Sequence, residues 1–93
     1  MTVTTEMQGP ARLIFWDRQA RRNAWDLETM TAVADAIEAA GADPEVRCVV
    51  LRGAGEHFSA GDDLHAATEA DSDTWAATIE GFQRMTRVVL AAP

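Results

Sequence analysis

The residues with most scope for chemistry lie together in Gly53-Ala54-Gly55-Glu56-His57-Phe58-Ser59-Ala60-Gly61-Asp62-Asp63-Leu64. Small side chains at Ser59, Ala60 and Gly61 let a ligand approach main-chain atoms, and glycine opens backbone conformations closed to other residues. A helix-prone stretch from about Asp62 to Ala67 follows, so free N–H groups and the positive end of a helix dipole would face outward. Such a turn binds oxyanions. A Gly-rich strand-to-helix connection without any ligand has the same pattern, and both readings stand on the residues alone.

The other candidates offer less. His57 and His65 flank the turn, but an isolated histidine is more often a surface or hydrogen-bonded structural residue, and no spacing supplies partners for a metal. Cys48 sits in an apolar run and reads as a small buried hydrophobe. Glu69, Asp71, Asp73 and Glu80 lie in an acidic, helix-starting region and read as solvated surface rather than as paired catalytic carboxylates. Trp25, Trp75 and Phe82 lie on or beside helical stripes, where packing is the default role. All eight basic residues are arginine, so a lysine Schiff base or lysine general base has no candidate.

The elements that must carry the turn can be read in order. Residues 2–7 are β-prone, and Gln8-Gly9-Pro10 separates them from Ala11–Trp16, which suggests a hairpin. Leu13 and Phe15 alternate with Ile14 and Trp16, so both faces of the second strand are apolar. Asp17–Asn23 reads as an arginine-rich loop. From Asp26, a plausible N-cap, Leu27, Met30, Val33, Ala34, Ile37 and Ala40 form one helical stripe that stops at Gly41. Val46–Arg52 is a nearly continuous apolar, β-branched run, the pattern of a buried strand. A long helix is expected from about Asp73 to Leu90, with Trp75, Ile79, Phe82, Met85 and Val89 on its stripe. The next strand would follow Pro93, which would leave a βαβ unit without its partner and the chain stopping mid-domain.

Composition bounds the setting. Ninety-three residues fit one small domain, and 47% hydrophobic with 25% charged residues is ordinary for a globular chain. A net charge of −7 argues against general nucleic-acid binding. The charge is uneven, since Arg12, Arg18, Arg21 and Arg22 precede residue 26 against only Glu6 and Asp17. That early segment suits an anionic ligand. A single cysteine excludes an internal disulfide, and no stretch approaches the roughly 18 apolar residues of a membrane span. A reducing, cytoplasmic location is expected, with no membrane partner and no metal.

Taken together, Arg22-Asn23-Ala24, an amphipathic helix, Asp43-Pro44-Glu45-Val46-Arg47, the strand to Leu51 and then Gly53-x-Gly55-x-x-Phe58-Ser59-Ala60-Gly61-x-Asp63-Leu64 resemble the enoyl-CoA hydratase/isomerase (crotonase) superfamily. The resemblance spans residues 11–93 and implies an α/β fold, a crotonase-like spiral of ββα units. Residues 1–93 would be the N-terminal portion of one such domain, without its C-terminal half. It further implies an acyl-CoA thioester as substrate, no separate cofactor, and a homo-oligomer, trimer or hexamer, in the full-length form. Two backbone N–H groups polarise the thioester carbonyl in such enzymes, and the first falls on Asp62. The second donor and the general acid/base glutamates belong to the later half. The family more often carries a small residue where this chain has Asp62; the donor is unaffected, but the carboxylate should face away or cap the next helix, as should Asp63. Arg22, Asn23, Ala24, Ser59, Ala60, Gly61, Asp62 and Leu64 would border the acyl-CoA, with Ala24 and Ala60 as main-chain contacts. Arg18, Arg21 or Arg22 would pair with CoA phosphates, unless they form a solvated loop. The fragment alone is expected to be inactive. A different outcome is a non-catalytic truncated paralogue that associates with full-length subunits, and a third is a small α/β binding domain with a coincidental likeness.

Overall fold

The computed structural model describes residues 2–63 and 71–93. The greater part of the expected Asp62–Ala67 helix, together with Leu64, His65 and Glu69, lies outside the described residues. Strands β1 (Thr2–Gln8) and β2 (Ala11–Asp17) form the expected antiparallel hairpin, with Gln8 opposite Ala11. Its two-residue turn places Gly9 at φ 60°, as the first central position of a primed hairpin turn requires.

Beyond β2, a short 3₁₀ turn over Gln19–Arg21 leads into α1 (Leu27–Gly41). Asp26 is its N-cap: the carboxylate accepts the Thr29 N–H at 2.9 Å and the Thr29 hydroxyl at 2.6 Å. Met30, Val33 and Ile37 pack with Ile14, Trp16 and Trp25 to form the core. The stripe runs as the spacing predicts, except that Leu27 is only half-buried and Thr29 takes a buried place.

β3 (Cys48–Gly53) pairs in parallel with β2, with Ala11 opposite Cys48 and Trp16 opposite Gly53, giving the order β1-β2-β3. β2, α1 and β3 complete a parallel crossover, so the strand after Pro44 has a partner in the hairpin. Element order alone does not reveal that the second hairpin strand still has a free edge. The strand is also less buried than its composition predicts. Val49 and Leu51 pack on the core, whereas Cys48, Val50 and Arg52 are exposed. Helices cover only one face of the sheet among the described residues, and Cys48 is on the other, so it is exposed rather than buried.

The second helix, α2 (Ser72–Ala91), is capped by Asp71, which accepts the Thr74 N–H at 2.8 Å. It lies on α1 through Phe82, Met85 and Val88. Gly81 sets the approach: a Cβ there would stand 3.0 Å from Leu27 Cδ1 and 3.3 Å from Met30 Cε. Trp75, Ile79 and Val89, expected on the packed stripe, are 43–44% exposed. The apolar stripe is wider than the contact: its Gly81, Met85 and Val88 side meets α1, and its Trp75 and Ile79 edge is left exposed. Arg84 bridges the two helices, 2.7 Å from Asp35 and 3.1 Å from Glu38, and these carboxylates push its guanidinium pKa further up. No described helix is long and apolar enough to cross a membrane.

Candidate functional site

Two irregular segments, 18–25 after β2 and 53–63 after β3, leave the sheet from adjacent parallel strands and run alongside each other. Three main-chain bonds join them: Ala60 N–H to Arg22 O at 3.0 Å, Trp25 N–H to Gly61 O at 2.7 Å and Asp63 N–H to Trp25 O at 2.9 Å. Trp25 thus forms a parallel bridge opposite Asp62. Gly61 adopts φ 93°, and its N–H donates to Ser59 Oγ at 3.1 Å.

This pairing fixes one direction that matters. The Gly61 C=O and the Asp62 N–H belong to one peptide plane, and in a trans peptide they point opposite ways. Because the carbonyl is aimed at Trp25, the Asp62 N–H faces away from segment 18–25. Asp62 is half-buried and borders a cavity of about 250 Å³ with Trp25, Asp26, Leu27, Glu28, Asp63, Thr74 and Thr78. Neither Asp62 nor Asp63 is helical.

Asn23 is the internal pin of the loop. It is 1% exposed and left-handed at φ 59°, a region asparagine tolerates better than most residues. Its Nδ2 donates to Ala54 O at 2.8 Å and His57 O at 2.6 Å, while Oδ1 accepts the Arg18 N–H at 2.8 Å. The residue carried into the CoA-lining set by resemblance therefore has both side-chain atoms committed inside the protein. Ala24 is similar: it is buried, its N–H donates to Arg21 O at 3.0 Å, and its carbonyl accepts from Arg18. Ala60 and Ser59 remain accessible at the turn.

The arginines divide. Arg21 and Arg22 are exposed, and Arg22 borders a cleft of about 390 Å³ with Gln19, Glu56 and His57. Arg18, expected either to meet phosphate or to be solvated, is held inside by carboxylates rather than solvated. Its guanidinium side chain is 14% exposed and lies 2.9 Å from the Asp63 carboxylate and 3.5 Å from that of Asp26. Asp63 is thus tied to Arg18, a pairing that the capping expectation did not include. The sequence marked Arg18 only as one of three candidates for a phosphate, and nothing in it signalled this internal pairing.

Two further supports were not visible in the residue pattern. Trp16, fully buried on β2, donates its indole N–H to Phe58 O at 2.9 Å and meets the Phe58 ring edge-on at 4.9 Å. Gly53 ends β3 where any Cβ would stand 2.3 Å from the carbonyl oxygens of both His57 and Phe58. His57 itself is exposed. Asp71, Asp73 and Glu80 are exposed on α2 or at its start, Asp71 as the cap. Among the described residues, no three His, Cys, Asp or Glu side chains gather as metal ligands.

A hairpin, a crossover helix and a parallel strand together hold a glycine turn against the exit of β2. Comparison with known proteins identifies this arrangement. The model of the enoyl-CoA hydratase/isomerase family matches residues 8–92, and the chain belongs to that family. The enoyl-CoA hydratase EchA19 of Mycobacterium tuberculosis is 41% identical over 64 residues, 69% of this chain and 24% of that protein. The carnitinyl-CoA hydratase of Mycobacterium avium is 46% identical with a TM-score of 0.67, over 71% of this chain and 26% of that one. The enoyl-CoA hydratase of Bacillus halodurans, at 22% identity, shares the fold over 98% of this chain and 38% of its own, with a TM-score of 0.87. The chain thus spans about a quarter or less of the length of the curated relatives it matches.

Proposed function

We propose that residues 58–62 form the first half of an oxyanion site in an acyl-CoA-processing enzyme of the hydratase or isomerase type. In this reading the Asp62 N–H donates to the thioester oxygen. The observation that carries it is the Gly61–Trp25 bond, which turns the Asp62 N–H away from the segment beside it. Adding water across an enoyl thioester, or moving its double bond, shifts an electron pair onto the same carbonyl oxygen. A donor fixed before the charge appears stabilises that enolate without reorganising. Both reactions pass through this oxygen, so the turn serves either.

Arg22, Ser59, Ala60 and Gly61 border the acyl-CoA in this reading, with Arg21 and Arg22 free to meet phosphates, while Asn23 and Ala24 support the loop from inside. Acyl-CoA enters as substrate with no further cofactor, and the full-length protein assembles as a trimer or hexamer in the cytoplasm. With a single donor at the turn, the 93-residue chain in this reading polarises a thioester without turning it over.

Isotope-edited infrared spectroscopy of a carbonyl-labelled acyl-CoA bound to the chain tests this reading. The bound carbonyl should absorb at lower frequency than in solution. Asp62→Pro, which removes the carboxylate together with an N–H that has no acceptor among the described residues, should abolish the shift. Asp62→Ala should retain or enlarge it, because a carboxylate near a forming oxyanion opposes it. A bound thioester with an unshifted carbonyl rejects the oxyanion reading.

A second reading has its own support. Trp75, Ile79 and Val89 are 43–44% exposed and Leu90 81%, all on α2. A non-catalytic module that joins full-length subunits would use such a face. Co-sedimentation with a full-length relative, without acyl-CoA binding, is its expected signature.

A further inference from the structure

We infer that Arg18 is a positioning residue for the Asp62 N–H, a latch that prevents the Gly61–Asp62 peptide plane from flipping. The inference rests on the oxyanion reading of that N–H.

The plane needs such a latch because of Gly61. At φ 93° and with no side chain, glycine passes between backbone conformations at little cost, so nothing in residue 61 itself holds its carbonyl toward Trp25. A half-turn of the plane would exchange C=O for N–H and present an acceptor where the donor stood. The neighbours must therefore supply the restraint.

Arg18 reaches both of them. Its guanidinium donates to Ala24 O, one residue before the amide that holds the Gly61 carbonyl. It also lies 2.9 Å from the carboxylate of Asp63, one residue after the N–H in question, and 3.5 Å from Asp26 on the far side of Trp25. Asp63 is further bound through its main-chain N–H to Trp25 O at 2.9 Å. One planar cation thus ties residues 24, 26 and 63 together, and the plane lies between them. The main chain of Arg18 is anchored in turn, since its N–H donates to Asn23 Oδ1 and its carbonyl accepts the N–H groups of Arg21 and Asn23. An arginine fork suits this geometry, whereas lysine offers charge without the fixed spread of donors.

The latch can be read in the free chain by amide hydrogen exchange and in the complex by the carbonyl frequency of bound labelled acyl-CoA. In Arg18→Met, protection of the Trp25 and Asp63 amides should fall tenfold or more while the β2–β3 amides keep theirs. The carbonyl shift should shrink in parallel, and Arg18→Lys should restore only part of both. Unchanged protection and an unchanged shift in Arg18→Met overturn the inference. A wild-type carbonyl that does not shift, with protection still lost in Arg18→Met, removes the oxyanion reading and leaves the latch. If Arg18→Met also loses β2–β3 protection, Asp63→Asn decides, because it weakens only one arm of the fork. Selective loss at Trp25 in that variant supports the latch, and general unfolding assigns Arg18 to the fold instead and overturns it.

Discussion

The loop pair 18–25 and 53–63 and the helix α2 are both long excursions from the sheet, yet they are held in opposite ways. The loops have little regular structure and many fixed partners: Asn23, Arg18, Trp16 and Gly53 each tie segments distant in sequence. Helix α2 satisfies its own backbone and has no fully buried residue. It depends on one shallow contact stripe with α1 and two ion pairs at Arg84. Regular structure here goes with loose attachment, and irregular structure with tight attachment, because a buried loop must find a partner for every polar group it brings inside.

The contrast can be broken most severely at Gly53. Gly53→Ala puts a methyl group 2.3 Å from two main-chain oxygens, which no rotamer change relieves. A loss of about 3 kcal/mol, the upper end for overpacking, is expected by urea denaturation. Asn23→Ala comes next: it leaves the Ala54 and His57 carbonyls and the Arg18 N–H without this partner, and about 2 to 3 kcal/mol should go. Removing the α1 cap by Asp26→Ala should cost about 1 kcal/mol in the same assay. On α2, Leu90→Ser should change stability by less than about 0.5 kcal/mol. Equal losses at Asn23 and Leu90 would erase the distinction between the two regions.

The smallest effect concerns pH. The Thr74 backbone N–H, followed by the Thr74 hydroxyl, lowers the Asp71 pKa below the ordinary aspartate value. A depressed folded-state pKa gives stability that is present above the unfolded value and lost as pH falls through the folded one. Helix α2 should therefore fray at its start on acidification below the usual carboxylate range. Asp71→Asn, which caps without titrating, should flatten that part of the circular dichroism titration.

How much of this was legible follows from range. The hairpin, the Asp26 cap and the α1 stripe depend on residues a few positions apart, and each formed where the spacing predicts. The strand after Pro44 was recognisable as a strand, but its pairing with β2 and the exposure of Cys48 depend on which faces of the sheet are covered, which periodicity does not encode. On α2, the apolar stripe is broader than the contact, and the close approach to α1 falls at Gly81, a residue with no hydrophobicity to detect. At the turn, Ser59-Ala60-Gly61-Asp62 stood out, whereas the internal roles of Arg18 and Trp16 did not. Their roles lie in contacts 45 and 42 residues away.

The packing of Trp16 has an optical consequence. Its ring centroid lies 4.7 Å from that of Trp25, tilted by 48°, and its N–H rests on the carbonyl of Phe58 at the head of the turn. Two indoles so close should couple their excited states and give a near-ultraviolet dichroism band of paired sign. Trp25 flanks Asp62 directly, so any ligand that shifts the turn should change that band, while exposed Trp75 contributes only quenchable fluorescence. The protein therefore carries its own chromophore for occupancy of the turn, and no label need be added to observe it.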